Sequence, residues 1–259
     1  MHETVARVLS VDWDYFFPDV YWFDWSQKEE SMVFLEYLWP LRYGNVHMKT
    51  GEEAKDIVKP DQKLLKNFWQ RACPLEPSMH LCIAESHKDI LMVLENFFES
   101  SVKFSIWNFD QHHDAGYDME KLNCDNWVRH LRENKRLFGY TVIYPPWRRE
   151  SPEDGEPNFV HQVFYEIPTM IYPRKFEIVF TCRSSGWTPS WCDDEWIKFI
   201  EYWKRYDYLW ETKSSAPYAL KKRPFDYKKA EENLKKEREI IRQVRENNLK
   251  IMKERGGKK

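Results

Sequence analysis

Short apolar runs that close on polar, turn-forming segments recur along the chain: Val5–Val11, Met79–Ala84, Val102–Phe109, Gly139–Tyr144, Val160–Ile167 and Lys175–Cys182. Runs of that length, bounded by Gly, Pro or Asp, predict buried strands. Patterns of period 3.6 between them predict helices. One covers 62–71 behind an Asp61 cap, with Leu64, Leu65, Phe68 and Trp69 inward. Another follows Asp89 and buries Ile90, Leu91, Val93, Leu94, Phe97 and Phe98. A third is capped near Asn123 and packed by Trp127 and Leu131, and a fourth runs from Asp193 or Asp194 to about Tyr206. Met32–Leu38 predicts a short helix stopped before Pro40, with a loop from Arg42 to Gly51. The aromatic run Tyr21–Trp25 reads as core packing, and Ser151–Asn158 as a surface loop.

The strand, polar turn, helix and strand over 79–109 form a βαβ unit, which sends both strands the same way. The fold expected for residues 1–210 is therefore α/β, a three-layer αβα arrangement with a mainly parallel sheet. Residues 211–226 read as a linker and 227–259 as a charged amphipathic C-terminal helix. In that helix Leu234, Ile241, Val244 and Ile251 fall on the a and d positions of one heptad frame, which Glu237 and Asn248 interrupt. Both a helix laid along its own domain and self-association through the C-terminal helix fit this broken seam.

Composition narrows the class. Apolar residues at 42% suffice for a core, which 13 Trp, 14 Tyr and 16 Phe make aromatic. No run approaches the ~20 apolar residues of a membrane span, and the first residues lack the basic-then-apolar pattern of a secretion signal. Five cysteines without CxxC spacing indicate neither a disulfide framework nor a zinc ribbon, so a reducing cytoplasmic address is expected. A net charge of -2 gives no general affinity for nucleic acid. The charge is uneven, with 12 Lys/Arg against 7 Asp/Glu from Asp226 onward.

The chemistry gathers where the apolar runs end. Val102–Phe109 opens into Asp110-Gln-His112-His113-Asp114, with Gly116 letting the chain turn away. Val5–Val11 opens into Asp12-Trp-Asp14, whose i, i+2 spacing on a strand would point both acids to one side. Met79–Ala84 opens into Glu85-Ser-His87. Carboxylates with imidazoles suit Mn, Zn or Fe. Asp12, Asp14, His87, Asp110, His112 and Asp114 are the candidate ligands of one or two divalent ions. His113 is the candidate for proton transfer and Glu85 for holding a ligand histidine. An Asx-turn at Asp12, a polar loop at 110–114 and a polar helix start at His87 are the structural alternatives.

One His, then Asp-x-His-x-Asp, with Asp-x-Asp elsewhere, resembles the metal-site pattern of the arginase/agmatinase and histone-deacetylase (ureohydrolase-like) superfamily. Ser10-Val-Asp12-Trp-Asp14 is similar to its D-x-D segment, and Asp110-Gln-His-His113 to the Asp-x-His-His segment of deacetylases. The resemblance implies an arginase-like fold, Mn as the first-choice ion, and hydrolysis of a non-peptide C–N bond in a small-molecule amide, amidine or guanidine. Here the D-x-D segment opens the chain instead of following D-x-H-x-D, which implies a circular permutation. No counterpart stands in for the general-base His or the guanidinium-binding loop of arginases. Two other classes fit part of the pattern: a phosphatase or phosphoesterase using Asp12 and Asp14 with Mg or Mn, its later acid pair being Asp193-Asp194, and a non-catalytic metal-binding scaffold.

Overall fold

Every strand pair among the described residues runs parallel. The computed structural model describes residues 4–18, 32–72, 80–116, 121–149, 159–168, 175–204, 209–210 and 216–256. The Tyr21–Trp25 run, the expected loop at Ser151–Asn158 and residues 211–215 lie outside them. In chain order the elements are β1 (Val5–Asp12), a 3-10 turn (Trp13–Phe16), α1 (Met32–Thr50), α2 (Ala54–Ile57), α3 (Gln62–Arg71), β2 (His80–Ala84), α4 (Asp89–Phe97) and β3 (Lys103–Phe109). There follow α5 (Trp127–Glu133), β4 (Leu137–Ile143), β5 (Gln162–Phe164), β6 (Ile178–Cys182), α6 (Asp193–Lys204), β7 (Leu209–Trp210), α7 (Ala216–Ala219) and α8 (Tyr227–Gly256). The sheet order is β5-β4-β3-β1-β6-β2-β7, and the fold is the expected three-layer α/β arrangement.

Two faces of the sheet are covered by different chemistry. On one, Ile90 and Leu94 of α4 and Trp127, Val128 and Leu131 of α5 pack on Ala6, Val8, Phe104, Ile106, Val142 and Phe180. The other is aromatic: Phe68 of α3 meets Phe109, Phe16 and Phe199 at 5.2–5.9 Å between ring centroids, and Trp13 meets Trp196 and Phe199 of α6. This division follows from uniform crossover handedness. Connections moving toward β7 (β1 to β2, β6 to β7) use α3 and α6, and those moving toward β5 use α4 and α5. The direction reverses between β1 and β3, so their carboxyl ends flank the crevice where open α/β sheets place ligands.

The chain divides into two compact units, Met1–Glu30 with Val58–Arg223 and Ser31–Ile57 with Pro224–Lys259. In the second, α1 runs straight through Pro40, and residues 42–50, expected as a loop, are helical. Leu35, Trp39, Tyr43 and Val46 are buried with helical spacing across the proline. Packing offsets the missing hydrogen bond: Tyr43 lies against Phe225 and Tyr227, and Gly44 sits beside Leu234 of α8. Along α8, residues 238–250 are exposed on all sides, Ile240, Ile241, Val244 and Leu249 included. No helix among the described residues is long and apolar enough to cross a membrane.

Smaller differences also have local causes. The strand expected over 160–167 shortens to β5, and the helix expected from Asn123 begins at Trp127, because Asn126 folds back to accept from the Asn123 amide. Asp61 caps α3 as expected, accepting from the amides of Lys63 and Leu64. Replacing it with Ala should cost about 1 kcal/mol. Phe68→Ala, which empties the middle of the aromatic layer, should cost about 3–5 kcal/mol. Urea titration of both variants tests this. Equal losses would mean that α3 is not anchored through Phe68.

Candidate metal centre

Side chains alternate along a strand, so the face of β1 that carries Ala6 and Val8 carries Ser10 and Asp12 at its carboxyl end. In the same way β3 carries Phe104 and Ile106 and then Asn108, and β6 carries Ile178 and Phe180 and then Cys182. Register sets Ser10 beside Asn108 and Phe180, and Asp12 beside Cys182. The layer under α4 and α5 is thus apolar along most of its length and polar in its last row.

Two matching turns fold the motifs over that row. Asp12 Oδ1 accepts from the Asp14 amide at 3.0 Å, and Asp110 Oδ1 accepts from the His112 amide at 2.9 Å. Each turn leaves the other oxygen, Oδ2, facing inward. The structural alternative for Asp12, an Asx-turn, is therefore real and coexists with the cluster. β1 ends at Asp12, so Asp14 does not share its strand face. The 3-10 turn brings Asp14 round instead. Gln111 ties the two turns together, donating to the carbonyls of Asp14 and Phe17. Gly116 is required for close approach, since a Cβ there would lie 2.9 Å from the Asp125 carbonyl oxygen.

His87, from the turn between β2 and α4, meets the inward oxygens. Its ring lies between Trp127 and Phe180, at centroid distances of 4.9 and 5.8 Å. Nδ1 is 2.8 Å from Asp114 Oδ2, 3.0 Å from Asp110 Oδ2 and 3.3 Å from Asp12 Oδ2. A single N–H cannot point along three lines, and here none is aligned, which leaves Nδ1 buried without a hydrogen bond. Nε2 faces the Ser10 hydroxyl at 2.6 Å. Farther out, His112 Nδ1 lies 3.6 Å from both Asp14 Oδ2 and Asp110 Oδ1. Asp14 Oδ1 is buried and also without a hydrogen bond. All six candidate ligands converge, and Asp110 turns one oxygen toward each histidine.

Charge is badly balanced in this space. Burial pushes the Asp14 carboxyl well above its ordinary range, and Asp12 and Asp110 push the same way. Burial, then Asp110, does the same to Asp114. For Asp110 burial works upward too, but the neighbouring His112 and His87 rings override it and hold the carboxyl far below its usual range. At His87 burial favours the neutral ring, yet the Asp114 charge and the surrounding carboxylates raise its pKa well above the ordinary value. His87 thus stands among three acidic side chains, with a fourth, Asp14, beside His112. The oxygen and imidazole donors and the orphaned Nδ1 and Oδ1 fit a doubly charged ion. Asp114 and Ser184 both hold left-handed backbone, with φ near 50°, a strain that collects at functional sites.

The two remaining candidates sit differently. His113 is buried, its Nδ1 accepts from the Ala115 amide, and its carbonyl accepts from Tyr140. Glu85 is engaged by Arg183 and Ser185. Arg183, fully buried, also donates to Asp193 and to the carbonyls of Tyr218 and Lys221. Arg223 completes the network with Asp193 and the carbonyls of Ser185 and Thr188. Asp193 is thereby committed to two arginines, while Asp194 pairs with Lys222 at the surface.

Sequence reasoning missed Ser10, Cys182 and Ser184. Cys182 Sγ lies 3.4 Å from Asp12 Oδ2, and the Ser184 hydroxyl donates to the same oxygen. The signal available for Ser10 and Cys182 was strand alternation, which puts each in the last inward row. At the outer side, Arg148 Nη2 is 3.3 Å from His112 Nε2, and the Trp187 ring stands 5.7 Å from the His112 ring.

No protein family matches the chain, and no curated protein and no solved structure matches it. The geometry itself defines a buried Asp/His/Cys cluster that can hold a divalent metal ion.

Stability should follow the charge. Asp14 and Asp114, with raised pKa values, stabilise the fold only while protonated, and that contribution is lost as pH rises through their folded values; His87 has the same sign. Asp14→Asn, neutral at every pH, should therefore match wild type near pH 4 in chelator and melt increasingly higher than wild type as pH rises toward neutrality. Saturating divalent metal should reverse the order. Parallel melting curves across that range would show that Asp14 carries no buried charge.

Proposed function

We propose that the chain is a metal-dependent hydrolase of non-peptide C–N bonds in a small-molecule amide, amidine or guanidine, built on a two-ion centre. The observation that carries this reading is Asp110, whose two oxygens face separate histidine groups only one carboxylate apart. His87 with Asp12, Asp110 and Asp114 would hold the inner ion, and His112 with Asp14 and Asp110 the outer one. Mn, Zn and Fe all accept such donors. Divalent ions held there would acidify water and polarise the group under attack.

The chain's own residues supply the rest. Were Nδ1 to bind an ion, His87 would keep its proton on Nε2 and donate a hydrogen bond to the Ser10 hydroxyl, which would fix the ring. The outer group is the one open to solvent, since the His112 side chain is 32% exposed, so substrate enters past His112, Trp187 and Arg148. Asp14 directs Oδ2 toward His112 and leaves Oδ1 without a hydrogen bond. A carboxylate that gave one oxygen to an ion would still offer the other to a proton at the reacting nitrogen. Asp14 takes that role ahead of His113, whose ring is tied to the Ala115 amide. A phosphatase of the kind considered above would need Asp193 or Asp194 near Asp12, and both are engaged elsewhere.

The purified protein, reconstituted with Mn or Zn, should bind about two equivalents. His112→Ala should remove the outer one, and Asp110→Asn should weaken both. Asp14→Asn should lower kcat by about 10²-fold or more with a smaller effect on metal content. Metal analysis, with amine or ammonia release from guanidino, amidine and acetylamino substrates against a phosphate-ester control, checks these outcomes. Protein that takes up no metal, or that cleaves only the phosphate ester, would remove this reading.

A further inference from the structure

We infer that Cys182 is a thiolate ligand of the inner ion and biases the site toward zinc over manganese. This rests on the metal-centre reading above and sharpens it. Cys182 ends β6 in register with Asp12 on β1, so two rigid, adjacent strands present a thiol and a carboxylate side by side. The Sγ lies 3.4 Å from Asp12 Oδ2, and that oxygen lies 3.3 Å from the orphaned His87 Nδ1. The ligand atoms of Asp12, His87 and Cys182 all fall within 4.8 Å of one another. All three residues are buried, with Cys182 fully so, in a cluster where every other inward atom is an oxygen or an imidazole nitrogen. Cys82 shares the same face of the sheet but lies among apolar side chains, lower on its strand, where it packs as an ordinary small hydrophobe.

A thiolate changes what such a site selects. Carboxylate and imidazole ligands accept manganese, iron or zinc, whereas sulfur is a soft donor that manganese binds poorly and zinc binds well, with Zn–S near ~2.3 Å. On coordination the thiol proton is exchanged for the ion and leaves to buffer, with no change of oxidation state. The hydroxyl of Ser184, which donates to the same Asp12 oxygen, keeps that carboxylate oriented beside the sulfur.

Cobalt(II), a spectroscopic stand-in for zinc, separates the possibilities. Apo protein titrated with cobalt should develop visible d–d bands and, in the near ultraviolet, an intense thiolate-to-cobalt charge-transfer band. Cys182→Ser should keep the d–d bands and lose the charge-transfer band. It should also take up a severalfold lower zinc-to-manganese ratio from an equimolar mixture. Should Cys182→Ser fail to fold, a variant in which Cys73, Cys82, Cys124 and Cys192 are replaced by Ser or Ala must retain the band. Visible bands without a charge-transfer band in wild type, or a charge-transfer band that survives Cys182→Ser, would overturn the assignment of Cys182 while leaving the metal centre intact. No cobalt bands at all would sink the metal-centre reading itself.

Discussion

Three carboxylate oxygens converge on one imidazole nitrogen, out of water, at the end of a parallel sheet. Two like charges about 4 Å apart repel by ~4 kcal/mol at the effective dielectric of a partly buried site, and this site also includes a fourth carboxylate, Asp14. The local structure works to contain that repulsion. Backbone amides take one oxygen of Asp12 and one of Asp110. Trp127 Nε1 donates to Asp114 at 2.5 Å, and Ser184 donates to Asp12. His87 is driven toward its charged form. These contacts hold the acids in place, and the crowding that remains is what a cation would relieve.

The last inward row lies beside a frame built on two buried arginines. Arg183 and Arg223 fasten the segment after β6 to Asp193 and to the carbonyls of residues 185, 188, 218 and 221. Arg183 also clamps Glu85, which fixes the start of the turn that bears His87. Burying guanidinium groups lowers the Arg183 pKa, first through desolvation and then through the charge of Arg223, and the paired carboxylates compensate in part. Glu85 thus acts on His87 through the backbone of their shared turn.

Most of this was legible in the sequence where a side chain's type and its strand position agreed. Apolar runs ending in Asp, His and Glu located β1, β2 and β3 and marked which ends carry chemistry, because charged residues at buried strand ends need a partner. Small residues gave no such signal. Ser10 and Cys182 read as ordinary strand positions, and only the pairing of β1 with β6 puts Cys182 beside Asp12. The course of α1 was obscured for a different reason. Pro40 is a strong local stop signal, while the buried stripe through Leu35, Trp39, Tyr43 and Val46 that overrides it depends on packing distant in sequence. Arg223 looked like linker for the same reason, since its partners lie near residues 185–193.

The strand order has a temporal consequence for the growing chain. β6 lies between β1 and β2, yet it leaves the ribosome long after both, and after β3, β4 and β5 as well. Until it arrives, the two strands destined to flank it present unpaired edges of apolar residues, and zipping them directly to each other would seal the sheet one strand short. In the finished sheet β6 separates β1 from β2 and brings Cys182 and Ser184 to Asp12. The pairing that assembles the centre is thus among the longest-range in the sheet, setting Val8 beside Ile178.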